Sequence, residues 1–132
     1  MDVAIEDVVG RLGEEGFVIL DVRSGGEYSG AAVAPCDPRP GRIPGARHLD
    51  IQDLMTLTQE QIRERLGPAD EVELVAYCHS GARSQLATEI LCAAGYRAFN
   101  YRGSWHEWSR DGSLPADSGV PRHESDSGTT QI

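Results

Sequence analysis

Apolar residues along the chain form two patterns, short runs of four to six residues and stretches with helical spacing. The short runs, of which residues 17–20 are continuously apolar, predict buried strands, because both faces of a parallel strand are covered by other elements. The predicted strands are residues 17–20, 46–49, 72–77 and 98–101. The predicted helical segments are residues 5–15, 54–66, 84–94 and 103–108, the second of which can hold one or two helices. Strands that alternate with helices predict an α/β fold, with helices flanking a mostly parallel central sheet.

The residues beyond the last predicted helix have a different composition. From Asp111 onward the chain is rich in Gly, Ser, Pro, Asp and Thr and has almost no apolar side chains. We therefore expect one domain over residues 1–114 and a disordered acidic tail over residues 115–132. Removing the chain after Leu114 is then expected to leave stability nearly unchanged.

Charge and composition narrow the possible partners. The formal net charge of −9 argues against nucleic-acid binding, which needs clustered cations. All 12 basic residues are Arg, so lysine-based Schiff-base chemistry and a Walker-type phosphate loop are excluded. No apolar run approaches the roughly 18 residues that span a membrane, so we expect no membrane partner. The N-terminus lacks a basic segment followed by an apolar one, and we expect a cytoplasmic protein.

The three cysteines, Cys36, Cys78 and Cys92, argue for thiols with separate roles. An odd number without a secretion signal does not indicate a disulfide framework. No two of them form a C-x-x-C pair, so the spacing does not indicate a zinc site. We therefore expect neither a metal nor an organic cofactor.

Residues 78–83 (CHSGAR) are the most informative segment. Cys78 directly follows a predicted buried strand, and Arg83 stands where the next helix begins. Gly81 permits a tight curl, which can point successive backbone N–H groups inward as an anion-binding nest. Together with the positive end of the helix dipole, such a nest favours a thiolate and an anionic substrate. The alternative is a buried, inert cysteine that only ends the strand.

Four segments in this order make the chain resemble the rhodanese family of sulfurtransferases. They are residues 20–28 with D-V-R and E-Y, residues 41–46 (GRIPGA), residues 78–83, and residues 100–108 with Y-R-G-S-W and a second Trp. The last segment is similar to one in the catalytic, C-terminal domains of tandem sulfurtransferases. The resemblance covers roughly residues 3–114 and implies the rhodanese-like three-layer α/β domain.

The resemblance also implies roles for individual residues. Cys78 would be the sulfur-accepting nucleophile, and Arg83 would bind the substrate anion. Substrate contacts would be completed by the amides of the loop, namely those of His79, Ser80, Gly81 and Ala82. Five further residues would support the active site: Asp21, Arg23, Glu27, Arg42 and Trp105. The first three are expected to act through ion pairs. Trp105 and Trp108 would either line the pocket or pack in the core.

Three features depart from the family pattern. Arg42 stands where the family usually has His. His79 stands where many thiosulfate-using members have Arg, and it either makes the site pH-sensitive or is a solvated loop residue. Residues 30–40 look like an insertion relative to compact members. This insertion carries Cys36, which is either a resolving thiol for Cys78 or a surface thiol.

The function implied is transfer of sulfane sulfur from thiosulfate or a similar small anion to cyanide or a thiol, through a Cys78 persulfide. A protein could also be the sulfur acceptor. The first alternative is a persulfide relay without turnover, or a regulatory module for a partner protein. The second is a cysteine-based phosphatase or arsenate reductase. Related phosphatases have Cys-x5-Arg loops, whereas the spacing here is Cys-x4-Arg, and a smaller ring of amides suits a single sulfur better than a phosphate.

Overall fold

The structure, a computed structural model, describes residues 1–119. Its strands are β1 (Asp2–Val3), β2 (Phe17–Asp21), β3 (Arg47–His48), β4 (Glu73–Tyr77) and β5 (Arg97–Tyr101). Its helices are α1 (Ile5–Val9), α2 (Gly25–Ser29), α3 (Ile51–Leu54), α4 (Gln59–Leu66), α5 (Ala82–Ala93) and α6 (Ser104–Trp108). The four predicted strands are therefore present, and β1 is an addition too short to give a sequence pattern.

The five strands form one parallel sheet in the order β1-β5-β4-β2-β3. This confirms the predicted α/β fold with its central parallel sheet. In the register of the two central strands, Asp21 lies beside Tyr77, so β2 and β4 end together. Because loops at the carboxyl ends of parallel strands share one edge, the segment after β4 meets those after β2 and β5.

Side chains along β4 alternate between two hydrophobic cores, one on each face of the sheet. Leu74, Ala76 and Cys78 pack in the core that contains α3, α4 and α5. Val75 and Tyr77 pack in the other core, with the two tryptophans of α6. The period of two in a strand therefore directs Cys78 and its neighbour Tyr77 to opposite faces.

Helix α5 packs against the sheet through a face made largely of small and hydroxylated residues. Its buried residues are Ser84, Ala87, Thr88 and Leu91, which repeat at helical spacing. Leu86 lies outside this face and is 40% exposed.

Helix α1 is shorter than expected from the apolar spacing over residues 5–15. It ends at Val9, and turns with hydrogen bonds from Arg11 to Val8 and from Glu14 to Arg11 lead to β2. Gly13 and Gly16 have φ of +80° and +82°, a left-handed conformation that ends helical structure in this segment.

The segment between α2 and β3, residues 30–46, is termed the long loop, and a single arginine anchors much of it. The guanidinium of Arg39 donates hydrogen bonds to four backbone carbonyls in the segment that ends α6 and follows it: Trp108, Ser109, Asp111 and Leu114, at 2.8–3.2 Å. In return, the indole of Trp105 donates to the carbonyl of Arg39 at 2.9 Å. The long loop is therefore held against α6 despite its high content of Gly and Pro.

Residues 115–119 differ from the disordered tail expected there. The indole of Trp108 donates to the carbonyl of Pro115 at 2.8 Å. Arg42 and Asp117 exchange two backbone hydrogen bonds, at 2.8 and 3.0 Å. These five residues therefore pack on the domain, because they supply acceptors that buried groups need. The rest of the expected tail, residues 120–132, lies outside the described residues. Among residues 1–119, none of the helices is long and apolar enough to cross a membrane.

Candidate active site

The sulfur of Cys78 lies at the centre of a turn formed by residues 78–84, termed the thiol loop. The backbone N–H of Gly81 points at Sγ from 3.1 Å, and that of Ser84 from 3.4 Å. The hydroxyl of Ser84 also lies 3.4 Å from Sγ. Cys78 is only 1% exposed, so the sulfur is surrounded by hydrogen-bond donors rather than by water.

Gly81 makes this turn possible for two reasons. Its φ of +101° lies in the left-handed region, which favours glycine. In addition, a Cβ at this position would lie 2.7 Å from the carbonyl oxygen of Arg102. The turn is thus packed directly on the segment after β5. Asn100 of β5 supports it further, since its amide donates to the carbonyl of Gly81 at 3.3 Å.

The environment of Cys78 lowers the pKa of its thiol. Burial by itself raises this pKa, because it disfavours the charged form. Hydrogen bonds from the hydroxyl and amide of Ser84 and from the amides of Gly81 and Ser80 act in the opposite direction and outweigh it. The result is a buried thiol that loses its proton more readily than an ordinary cysteine.

Arg83 is held by Glu27 through two parallel hydrogen bonds, at 2.9 and 3.1 Å. Glu27 is itself fixed at the start of α2, where its carboxylate accepts from the amide and hydroxyl of Ser24 at 3.1 Å. Burial raises the pKa of Glu27, but the bonds to Arg83 and Ser24 outweigh it and lower the value to about 2. The pair therefore stays charged, and Glu27 offsets part of the positive charge of Arg83.

Asp21 and Arg23 form a buried ion pair on the other side of β4. Arg23 donates to the carboxylate of Asp21 at 2.7–3.2 Å and to the carbonyl of Gly41 at 2.6 Å. The hydroxyl of Tyr77 donates to Asp21 at 2.7 Å and accepts from the amide of Ile43 at 3.1 Å. Since Tyr77 directly precedes Cys78, this network fixes the end of β4 from the face opposite the thiol.

Trp105 lies between the buried ion pair and the long loop. It is 1% exposed, and its ring faces the guanidinium of Arg23 at 5.2 Å. Its indole N–H is bonded to the carbonyl of Arg39. Trp108 is fully buried in the same core. Both rings therefore pack in the core, and Trp105 connects it to the loop.

The contacts of Arg42 are made with segments other than the thiol loop. Its guanidinium stands 4.3 Å above the ring of Tyr28 and donates to the carbonyls of Tyr28 at 3.0 Å and Gly119 at 2.7 Å. These contacts join the long loop, α2 and residues 117–119. Arg42 therefore holds these segments together.

The side chains of the thiol loop between Cys78 and Arg83 do not converge on the sulfur. Ser80 and Ala82 are exposed, and Ser80 faces the sulfur with its amide rather than its hydroxyl. The imidazole of His79 is directed to the long loop, where Nε2 lies 3.0 Å from the carboxylate of Asp37. It also lies 3.8 Å from Sγ of Cys36.

Three residues near the thiol were not identified from the sequence. Ser84 contributes both a hydroxyl and an amide, and its position one residue after Arg83 at the start of α5 was an available signal. The hydroxyl of Ser104 accepts from the amide of Cys78 at 3.1 Å. Asp37 lies on the long loop, and no local pattern in the sequence connects it with His79.

An open pocket of about 540 Å³ adjoins the thiol loop at Ser80. Its other walls include Arg102, His106 and Glu107, together with residues 3–6. The pocket brings charged side chains of both signs next to the loop. Cys78 is not among its lining residues, so the pocket lies beside the loop rather than around the buried sulfur.

Comparison with known proteins places this geometry in a family. The profile of the rhodanese-like domain matches residues 4–111. The chain is 36% identical over 121 residues to a probable 3-mercaptopyruvate sulfurtransferase of Pseudomonas aeruginosa, covering 83% of this chain and 42% of that protein. It is 34% identical over 119 residues to a thiosulfate sulfurtransferase of Azotobacter vinelandii, covering 83% and 43%.

A solved structure agrees with these relatives. The crystal structure of a probable thiosulfate sulfurtransferase superposes with a TM-score of 0.73 at 38% identity, over 88% of this chain and 47% of that one. The chain thus spans less than half the length of each of these three proteins. Since the family profile matches most of the chain and includes the buried thiol in its turn, the chain belongs to the rhodanese-like domain family.

Proposed function

We propose that this chain is a sulfurtransferase that carries sulfane sulfur as a persulfide on Cys78. The observation behind this proposal is the convergence of the Gly81 and Ser84 amides and the Ser84 hydroxyl on one buried sulfur. The same donors that favour a thiolate also suit a persulfide anion, since both place negative charge on sulfur. A sulfur of this kind is a nucleophile that does not depend on a separate base.

The reaction we propose has two displacement steps. The Cys78 thiolate attacks the outer sulfur of thiosulfate, a new S–S bond forms, and the bond to the inner sulfur breaks with its electron pair leaving on sulfite. The product is the anionic persulfide of Cys78. Cyanide or a thiolate then attacks the terminal sulfur, which leaves as thiocyanate or as the acceptor's persulfide, and the Cys78 thiolate returns. Charge and electron count balance in each step without a redox partner.

In this mechanism Arg83 binds the donor anion, and Glu27 positions the guanidinium. A guanidinium has five N–H groups, so the two bonds to Glu27 leave others for sulfite or thiosulfate. The amides of residues 79–82 would complete the anion site. The Asp21–Arg23 pair and Tyr77 would keep the end of β4 fixed while charge moves between donor and loop.

Thiosulfate is the donor we propose first, with 3-mercaptopyruvate as the one to compare. Relatives of both names match the chain at similar identity. The preference for thiosulfate comes from Arg83 at the end of the thiol loop, a feature similar to thiosulfate-using members. The proposed acceptors are cyanide, a small thiol or a protein thiol.

One observation favours a second candidate, a persulfide relay that serves a partner protein. The positive charge of Arg83 is partly offset by Glu27, in a chain whose net charge is −9. A free dianion therefore meets a weaker positive field than the sequence of the thiol loop implies. A sulfur donor carried by a protein depends less on that field.

The experiment that tests the proposal combines intact mass with turnover. The protein is incubated with thiosulfate, then with cyanide, and mass and thiocyanate are recorded for the wild type and for Cys78→Ser and Cys92→Ser. We expect one added sulfur and thiocyanate formation in the wild type and in Cys92→Ser, and neither in Cys78→Ser. Cys92 is the matched control because it is an exposed thiol on the same helix that follows the loop.

The other outcomes separate the candidates. Sulfur uptake without turnover supports the relay. Uptake from 3-mercaptopyruvate but not from thiosulfate keeps the chemistry and changes the donor. Absence of sulfur uptake from every donor overturns the proposal and leads to phosphate and arsenate as substrates.

A further inference from the structure

A second group of reactive side chains lies beside the thiol loop and has no part in the proposed reaction. It consists of Cys36, Asp37, His79 and His106, and it is termed the outer cluster. One ligand atom from each residue lies within 4.8 Å of every other. The four residues come from the long loop, the thiol loop and α6, so the cluster joins three separate segments.

We propose that the outer cluster is a binding site for Zn²⁺ or a closely similar divalent metal. Thiolate, imidazole and carboxylate are the three ligand types that zinc takes in proteins, and four of them make a complete tetrahedral set. With Cys36 and Asp37 deprotonated and both imidazoles neutral, the charges of ligands and metal cancel. Binding releases the thiol proton of Cys36 to the solvent and needs no oxidant or reductant.

The distances between ligand atoms agree with a tetrahedral metal. Zinc bond lengths of about 2.0 Å to nitrogen and oxygen and about 2.3 Å to sulfur put nitrogen and oxygen about 3.3 Å apart, and sulfur and nitrogen about 3.6 Å apart. In the structure, Oδ2 of Asp37 lies 3.0 Å from Nε2 of His79, and Oδ1 of the same carboxylate lies 3.5 Å from Nδ1 of His106. Sγ of Cys36 lies 3.8 Å from Nε2 of His79. All other pairs of ligand atoms lie within 4.8 Å, so side-chain shifts of about 1 Å complete the site.

The backbone holds these ligands in place independently of a metal. The amide of His106 donates to the carbonyl of His79 at 2.9 Å, which keeps the two imidazoles together. Their rings meet edge to face with centroids 5.4 Å apart. Arg39 anchors the long loop two residues after Asp37. The site therefore has the support that fixed metal ligands need.

Asp37 has a more buried side chain than either histidine of the outer cluster. Its side chain is only 1% exposed, although it lies on a long surface segment. Arg110 lies 3.2 Å from its Oδ1 and also 3.2 Å from Nδ1 of His106. A metal would replace the contact to the imidazole, while Arg110 keeps its bonds to the carbonyls of Cys36 and His106. A buried carboxylate facing two imidazoles and a thiol is thus compensated by Arg110 or by a metal.

The cysteine spacing did not indicate this site because only one ligand is a cysteine. A bound metal would join the long loop to His79, the residue next to Cys78. The inference depends on the ligand geometry and not on the proposed sulfur transfer. If the metal site is disproved, the proposed sulfur transfer still stands, and the reverse is also true.

The test is titration of the full chain with Co²⁺ and Zn²⁺ under reducing conditions. We expect one equivalent of Co²⁺ to give the visible bands of a tetrahedral site and a thiolate-to-cobalt charge-transfer band. Zn²⁺ is expected to displace it and to raise the melting temperature. Cys36→Ser is expected to abolish the charge-transfer band. His106→Gln is expected to weaken Zn²⁺ binding by at least about tenfold, because even the loss of a residue that only hydrogen-bonds to a ligand weakens metal binding by that factor.

Two further thiols serve as controls. Cys92→Ser and Cys78→Ser are expected to keep the cobalt bands unchanged. Asp37→Asn is a third ligand variant. The Asp37 side chain is buried, so this change could also disturb folding. Cys36 and His106 are exposed, so their variants still test the proposal in that case. Absence of binding in the wild type, equal binding in Cys36→Ser and His106→Gln, or loss of the bands in Cys78→Ser would each overturn the proposal.

Discussion

The thiol loop and the long loop meet beside Cys78, but they are held by different means. In the thiol loop, the bonds to sulfur come from Gly81 and Ser84, three and six residues along the chain. In the long loop, Arg39 bonds to carbonyls about 70 residues away. Local geometry can be read from local sequence, whereas the position of the long loop depends on the finished fold.

The two loops also form neighbouring sites that suit charges of opposite sign. The thiol loop presents N–H groups to a sulfur and suits an anion, whereas the outer cluster presents a carboxylate, a thiol and two imidazoles and suits a cation. His79 belongs to both, since its backbone lies in the thiol loop and its ring in the outer cluster. An acidic chain can thus bind an anion because the donors are backbone groups, which do not depend on net charge.

The largest effect is expected from adding a side chain at Gly81 in the thiol loop. Gly81→Ala places a Cβ 2.7 Å from the Arg102 carbonyl in a left-handed conformation. We expect the free energy of unfolding to fall by about 2 kcal/mol, within the range of strained backbone sites. Thiocyanate formation should fall with it, because the Gly81 amide no longer points at Sγ.

Urea denaturation and the thiosulfate assay measure these two changes. Gly112→Ala is the matched control, because a Cβ there has nothing within 4 Å. Equal unfolding midpoints and equal turnover for the two variants would show that the turn at Gly81 does not need glycine.

The next effect in size concerns the long loop. Arg39→Ala removes hydrogen bonds to four carbonyls, and we expect a loss of about 2 kcal/mol in the free energy of unfolding, since each bond contributes about 0.5–1.5 kcal/mol and water replaces some of them. Alkylation of Cys36 should become faster as the loop detaches. Arg97→Ala is the comparison: its side chain is 74% exposed and pairs with Glu73 on the surface. If both variants unfold at the same urea concentration, Arg39 does not anchor the loop.

The sequence predicted the sheet and the thiol loop well because their signals are short in range. The apolar runs located four strands, and the position of Cys78 after one of them located its thiol at the carboxyl edge of the sheet. Ser84 was missed because its importance depends on which side of α5 faces the sulfur. Asp37 was missed because its contact with His79 is made only when the long loop folds over α6.

The C-terminal boundary involves contacts that composition does not reveal, for a related reason. Low hydrophobicity predicted disorder from residue 115, but residues 115–119 are held by their backbone rather than by side-chain burial. Trp108 and Arg42 use the carbonyls of Pro115 and Gly119 as acceptors. Composition says nothing of such backbone acceptors.

A smaller effect follows for truncation at this boundary. A chain ending at Leu114 loses the acceptor of the buried Trp108 indole and the paired backbone of Arg42 and Asp117. We expect it to be about 1–2 kcal/mol less stable than a chain ending at Gly119, the cost of an unsatisfied buried donor. Thermal melts of the two chains measure this difference. Equal melting temperatures would support the original expectation that residues after Leu114 add no stability.

The smallest effect is expected in reactivity rather than stability. Ser84→Ala removes a hydroxyl that, with backbone amides, keeps the pKa of Cys78 below its ordinary value against the effect of burial. We expect the pKa to rise, so the pH profile of iodoacetamide labelling at Cys78 moves to higher pH. The rate should then be several-fold lower near neutrality, where the thiolate is depleted, and unchanged at high pH, where both proteins are ionised.

Ser80→Ala is the matched control for this last variant, because Ser80 is exposed and faces the sulfur with its amide, which alanine keeps. Labelling of Cys78 is followed by peptide mass, so that the exposed thiols Cys36 and Cys92 do not contribute. A shift in Ser84→Ala with none in Ser80→Ala assigns part of the acidity of the thiol to one buried hydroxyl. Superimposable profiles for the wild type, Ser84→Ala and Ser80→Ala would mean that the Ser84 hydroxyl has no effect. The backbone amides and the dipole of α5 would then set the reactivity of Cys78 without it.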